Sequence, residues 1–357
     1  MSEAAPQLNF KPPHPSAPWA VLWVLFFLLA TQVPGGLLVV GLILFQAWKS
    51  GNFGGFLDQV QGENFQGSPD YAFILAPGLA LSQCLTVIVG IVVLRLTAGK
   101  DWPRRIALRW PGWPQVVLTL ALFPALVFLG EGMDKLVRPY LPEIIHMEKA
   151  VGSFSHWPWW LGVSIIGIGP ALGEELWCRG FLGRGLVANH GVIGGVFLTS
   201  LLFGIMHVEP RQVVYATAMG MVLHGVYLCT RSLWMPILLH FLNNSLSMLQ
   251  VSKDGPPLEF LSQLEKAGSN YPLFVYGGAA MLLALGGAAL YLSRARLEGI
   301  APGSPPTWTP PFPTVAYPPK EMETRVVYPT PGYLAWVLTL VGLAFFVGGA
   351  WLALLLG

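Results

Sequence analysis

Residues 19–46 read WAVLWVLFFLLATQVPGGLLVVGLILFQ, a run without a charged side chain. About 20 consecutive apolar residues suffice for a helix to cross the hydrocarbon core of a bilayer, so this run is long enough to span it. Inside lipid the backbone has no water to bond to, and a spanning segment must satisfy its own N–H and C=O groups. The run lacks the apolar–polar alternation of a barrel strand, which leaves the α-helix. Comparable runs recur near 72–97, 114–131, 157–188, 191–207, 212–230, 234–251, 272–294 and 333–356. The expected fold is therefore all-α, a polytopic bundle of about 8–9 transmembrane helices. Pro34, Pro77, Pro124 and Pro170 fall inside the runs as tolerable kinks.

Composition agrees. Hydrophobic residues make up 54% of the 357-residue chain and charged residues 11%, against about 25% charged in soluble domains. Too few charges remain to cover a water-facing surface of this size. The net charge of +2 comes without a basic run suited to nucleic acid. Cys84, Cys178 and Cys229 stand alone in apolar stretches, a pattern that suggests neither a disulfide framework nor a thiolate metal site. Residues 1–17 are polar and proline-rich without a basic cluster, unlike a cleaved signal peptide.

Composition also divides the chain. Residues 1–154 hold about three transmembrane helices, 155–250 the polar core discussed below, and 251–299 a loop and a further helix. Residues 300–332 include PGSPPTWTPPFPTVAYPP and read as a proline-rich linker favouring polyproline II, or as a docking strip. Residues 333–357 form a C-terminal helix. Lys100, Arg104, Arg105 and Arg109 follow the second span, and alternation gathers 13 of the 20 Lys and Arg on their side. By the positive-inside tendency that side, with the N-terminus, is cytoplasmic. A bacterial inner membrane is the expected location.

Ionisable groups inside spans are costly and usually functional, and here they cluster between 174 and 244. In GPALGEELWCRGFLGRGL, Glu175 and Arg179 are four apart and share a helix face, so they can pair. Glu174 then points elsewhere. In TSLLFGIMHVEP, Phe203 and His207 share a face, and in PILLHFLNNSL so do His240 and Asn244. Asn243 projects about 100° away from Asn244 and is the weaker candidate. Each group alone could be a salt-bridged helix end, an interfacial imidazole or an interhelical hydrogen bond. Together, a carboxylate and two imidazoles can activate water, bind a metal or move protons, and an amide can donate to an oxyanion. His224 lacks a polar partner at helical spacing and reads as structural or lumen-facing; Tyr215 and Tyr227 read as packing residues. No Ser, Cys or Asp stands in equivalent company, which argues against serine, cysteine and aspartyl mechanisms.

These motifs resemble those of the CAAX protease and bacteriocin-processing family of intramembrane endopeptidases. Its EExxxR, FxxxH and HxxxN signatures correspond to Glu174-Glu175-x-x-x-Arg179, Phe203-x-x-x-His207 and His240-x-x-x-Asn244. The resemblance covers roughly residues 155–250. It implies hydrolysis of a peptide bond in a membrane-associated peptide or protein within the lipid bilayer, with no nucleic-acid partner. It further implies that Glu174 activates water with His207 assisting, that His240 and Asn244 stabilise the oxyanion, and that Glu175, Arg179 and Phe203 support the site. Glu174, His207 and His240 could alternatively make a zinc set with an open position, although HExxH is absent. Zinc and a metal-free site both remain open on sequence grounds. So do a non-catalytic scaffold or immunity protein using the same cavity, and a proton-coupled transporter, against which the lack of an inverted repeat counts.

One difficulty is depth. If every run crosses straight, Glu174 and His240 sit near one side while His207 closes the fifth run near the other. The 157–188 stretch would be roughly 48 Å long as one helix, longer than the core. A broken or re-entrant segment at Gly169, Pro170 and Gly173 is the expected remedy.

Overall fold

A computed structural model describes residues 13–61, 65, 67–142, 149, 151–256, 271–310 and 322–356. The structure is 76% helical, with one small strand pair. In chain order the helices are α1 Ala17–Lys49, α2 Phe53–Gln61, α3 Pro69–Ala98, α4 Trp102–Arg105, α5 Trp113–Leu120 and α6 Phe123–Val137. A long composite follows: α7 Trp159–Gly162, a π-helical winding Val163–Ile168, α8 Gly169–Glu175, a second π winding Leu176–Leu182, and α9 Gly183–Ile205. Then come α10 Pro210–Thr230, α11 Trp234–Val251, α12 Leu273–Leu292 and α13 Tyr333–Leu356.

Among the described residues, seven helices are long and apolar enough to cross a membrane, counting Trp159–Ile205 as one of 47 residues. That composite folds back on itself at Gly191, whose φ of 72° and ψ of 177° are open to glycine and strained for any side chain. Beyond the turn, Gly195 lies against the backbone of Val187 so closely that an added Cβ would sit 2.5 Å from its nitrogen. The composite therefore makes two passes. α11 is the remaining apolar run; its His240, Asn243, Asn244 and Ser245 lower its mean hydropathy.

The break expected at 169–173 takes another form. Gly169 has φ −55° and ψ −62°, and the chain stays helical through Glu175. The irregularity lies on either side, in the two π windings. Pro170, in the first turn of α8, has no N–H for the carbonyl four residues back. A widened helix accommodates that lost bond without a break, and π-bulges recur at functional sites for this reason.

The depth difficulty resolves at Gly191. Residues 192–205 form a return helix of roughly 21 Å, shorter than a core of about 30 Å. The turn carrying His207 ends beside Phe203, whose ring it shares with His240. Gly204 and Phe203 accordingly pack on Thr217 and Gly220 of α10.

α3 is the spine of the half that holds the site. Gly78, Ser82, Thr86 and Gly90 recur every four residues on it and line one buried stripe. Without a hydrophobic force between helices in lipid, small residues gain association by letting backbones approach. One end of the stripe receives Gly35 of α1, and the other receives Gly173 and Leu176 of the composite. Trp177 extends this packing by stacking on Phe27 of α1 at 4.3 Å.

The proline-rich segment is more tied down than a free linker. β1 Arg296–Gly299 pairs antiparallel with β2 Thr324–Val327, so both its flanks meet in one ribbon. Gln115 Nε2 donates to the carbonyls of Ser293 and Pro329 at 3.1 and 2.9 Å, and Arg109 Nε to the Tyr328 hydroxyl at 3.2 Å. Residues 311–321 lie outside the described residues.

The contact between α3 and α8 is testable. A Cβ added at Gly173 would lie 2.5 Å from Thr86 Cβ and 3.1 Å from its backbone carbon. Gly173→Ala is expected to cost about 1–3 kcal/mol, measured by thermal denaturation in detergent. Thr86→Gly in the same chain should restore part of that loss. Strict additivity of the two changes would show that the residues do not meet.

Candidate active site

The site forms where α8 and the second π winding face α9, α10 and α11. Glu175 is at its centre. Its side chain and that of Arg179 are both fully buried, with Arg179 Nη1 2.7 Å from Glu175 Oε1. Arg179 also donates through Nη2 to the Gly220 carbonyl on α10, at 3.0 Å. The same Glu175 oxygen receives His240 Nδ1 at 2.9 Å. A carboxylate between two cationic or donor groups is how a charge survives burial, since an unpaired ion in a low-dielectric interior is strongly penalised.

Glu174, the neighbouring residue, is placed differently. Its side chain is 17% exposed, and its Oε2 faces His240 Nε2 at 4.0 Å. That distance exceeds a hydrogen bond but suits a shared water. The two glutamates thus divide as the helical spacing indicates, Glu175 to Arg179 and Glu174 away from it, toward His240.

Phe203 organises the remaining groups. Its ring is fully buried and has the Arg179 guanidinium 4.7 Å from its centre. His207 and His240 both meet it edge to face, at 5.1 Å and 5.9 Å. One phenyl ring therefore sets the spacing of both imidazoles. His207 Nδ1 lies 3.0 Å from the Phe203 carbonyl. A carbonyl only accepts, so Nδ1 carries the proton and Nε2 is left as the basic nitrogen. The chain turns sharply after His207: Val208 has a φ of 64°, and Glu209 caps α10 by accepting from Gln212 N at 2.6 Å.

Asn244, one turn after His240, donates through Nδ2 to the Ile166 carbonyl at 3.1 Å. Ile166 is the residue four before Pro170, whose missing N–H leaves this carbonyl short of its usual partner. Asn244 Oδ1 accepts from Asn243 Nδ2 at 3.4 Å, and Asn243 Oδ1 accepts from the Tyr215 hydroxyl at 3.0 Å. Asn243 and Tyr215 are thus bonded partners of the site that helical spacing alone does not single out. A freed carbonyl four residues before a proline is a legible sign; which of two adjacent asparagines meets it is not. His224 is 1% exposed beside Gly183, which fits a structural residue and not a lumen-facing one.

Among the described residues no group of three His, Cys, Asp or Glu is arranged to hold an ion. His240 Nδ1 and His207 Nδ1 bond Glu175 and a backbone carbonyl, which leaves both Nε2 atoms free toward the site.

No curated protein and no solved structure matches the chain. Residues 155–246, which contain all the side chains described above, match the family model described as type II CAAX prenyl endopeptidase Rce1-like. With its three motifs intact and their side chains gathered around Phe203, this stretch of the chain is similar to the CAAX prenyl endopeptidase family.

Proposed function

We propose that the protein is an intramembrane endopeptidase that hydrolyses a membrane-associated peptide or protein with a water activated by Glu174. The observation that carries this reading is the division between the two glutamates. Glu175 is paired with Arg179 and fully buried, whereas Glu174, whose side chain is 17% exposed, turns toward His240 an Oε2 that has no hydrogen-bond partner in the protein.

Roles follow from the donors and acceptors. Glu174 accepts a proton from the water, whose oxygen attacks the scissile carbonyl carbon. His207 Nε2, left basic by the Nδ1 bond to Phe203, orients the water by accepting its second hydrogen. His240, with Nδ1–H on Glu175, presents Nε2 toward Glu174; in its imidazolium form Nε2–H donates to the oxyanion. In that form the buried charges balance: two carboxylates against one guanidinium and one imidazolium. Asn244 spends one amide hydrogen on Ile166 and keeps the other for the same oxyanion. Collapse of the tetrahedral intermediate breaks the C–N bond, and Glu174 returns its proton to the departing nitrogen. Fixed donors in a water-poor site are worth more than in water because they need no reorganisation.

The family match supports a prenylated substrate ending in a CAAX sequence as the first probe, with an unlipidated transmembrane peptide beside it. Both are made as internally quenched peptides and assayed with the protein in liposomes. Wild type should cleave at least one of them. Glu174→Gln, which keeps shape and removes the base, should lower kcat by about 100-fold or more. Equal rates for the two proteins would mean that Glu174 is not the base, and a scaffold would take the enzyme's place. Chelation by EDTA or phenanthroline should leave the wild-type rate unchanged; loss restored by added zinc would reinstate a metal. Arg179→Met, which strands Glu175, should destabilise the fold by about 3–5 kcal/mol, while Glu174→Gln leaves the Tm near wild type.

A further inference from the structure

We infer that Tyr215 and Asn243 are positioning residues that hold the Asn244 amide in the orientation set by the Ile166 carbonyl. The inference rests on the reading of Asn244 as an oxyanion donor and adds two residues to it. An asparagine amide is nearly symmetric in shape, and its O and N exchange places on a flip. If Asn244 flips, a carbonyl oxygen replaces the donor, and an acceptor then faces a developing negative charge.

The hydrogen bonds remove that freedom, starting from one fixed point. The Ile166 carbonyl can only accept, so Asn244 must turn Nδ2 toward it, at 3.1 Å. Its Oδ1 then faces Asn243, which must present Nδ2, at 3.4 Å. Asn243 Oδ1 is left to accept, and the Tyr215 hydroxyl must donate, at 3.0 Å. Met219 Sδ also lies 3.3 Å from that hydroxyl, but a thioether is a weak acceptor and the amide oxygen wins the proton. The polarity of the whole chain is thus set at the Ile166 carbonyl, and Asn243 and Tyr215 support it by giving Asn244 Oδ1 a donor and Asn243 Oδ1 a donor in turn.

Packing holds the hydroxyl in place. The Tyr215 ring lies against Gly130 of α6, where an added Cβ would approach it to 2.8 Å. Asn243 is 9% exposed, so no bulk water competes for its amide. Among the described residues the titratable group bonded to Asn243 is the Tyr215 hydroxyl.

The test uses the liposome assay with the prenylated and transmembrane peptides. Tyr215→Phe and Asn243→Leu should each lower kcat roughly 10-fold or more, by weakening one oxyanion donor, with KM unchanged. Asn243→Asp supplies a readout that a packing role would not move. As a carboxylic acid it can still donate to Asn244 Oδ1; as a carboxylate it can only accept, and it turns the Asn244 amide round. The rate of Asn243→Asp, relative to wild type, should therefore fall as pH rises, and the same fall should persist in the Tyr215→Phe background. Wild-type kcat in Tyr215→Phe and Asn243→Leu, or a wild-type pH profile in Asn243→Asp, overturns the inference. So does loss of activity that merely tracks a lowered Tm with no pH response. In those cases an inactive Glu174→Gln leaves the endopeptidase reading standing. If instead Glu174→Gln is as active as wild type, that reading fails and takes the relay with it.

Discussion

A single oxygen, Glu175 Oε1, is bonded by both Arg179 and His240, and much of the core can be read as the means of keeping it so. A buried ion pair with one partner removed is far more costly than the intact pair is stabilising. Each helix that supplies a partner is therefore restrained by the others. Arg179 reaches on to α10 through the Gly220 carbonyl, and its flat guanidinium lies over Phe203 from α9. His240 brings α11 to the same point. The composite helix, α9, α10 and α11 are in this way tied by polar bonds at a depth where polar bonds have no water to replace them.

Against this rigid centre, Glu174 differs by one position and by its environment. Adjacent residues on a helix point about 100° apart. That rotation moves a carboxylate from a fully buried side chain paired with Arg179 to one 17% exposed and facing His240. A tandem pair gives both environments from one turn of helix, and the division requires that Arg179 reach one and not the other.

The spans were legible because hydropathy measures the transfer of a segment into lipid, and α11 even begins and ends at the residues expected. The pairing of Glu175 with Arg179 was legible from spacing. Three features were not. The turn at Gly191 falls where the sequence separates the 157–188 and 191–207 runs, but how near it brings His207 to Glu174 and His240 was not readable from the runs. The π windings depend on what the neighbouring helices offer to freed carbonyls, as Asn244 does for Ile166. The ribbon of β1 and β2 is four residues on each strand, too short for alternation to stand out from its proline-rich surroundings. In each case the missing information is the distance between segments, which a one-dimensional pattern does not hold.

That ribbon has a consequence for how the chain tolerates change. Gly299 and Thr324 face one another, so the intervening stretch departs from and comes back to a single point on the protein. Lengthening a tethered stretch costs little, since closure entropy grows only logarithmically with length. The interval is therefore free to drift in size and composition while α12 and α13 keep their mutual seating. The clasp joins the two flanks of the proline-rich stretch at one place, so the seating of α12 against α13 does not depend on the length of chain between them.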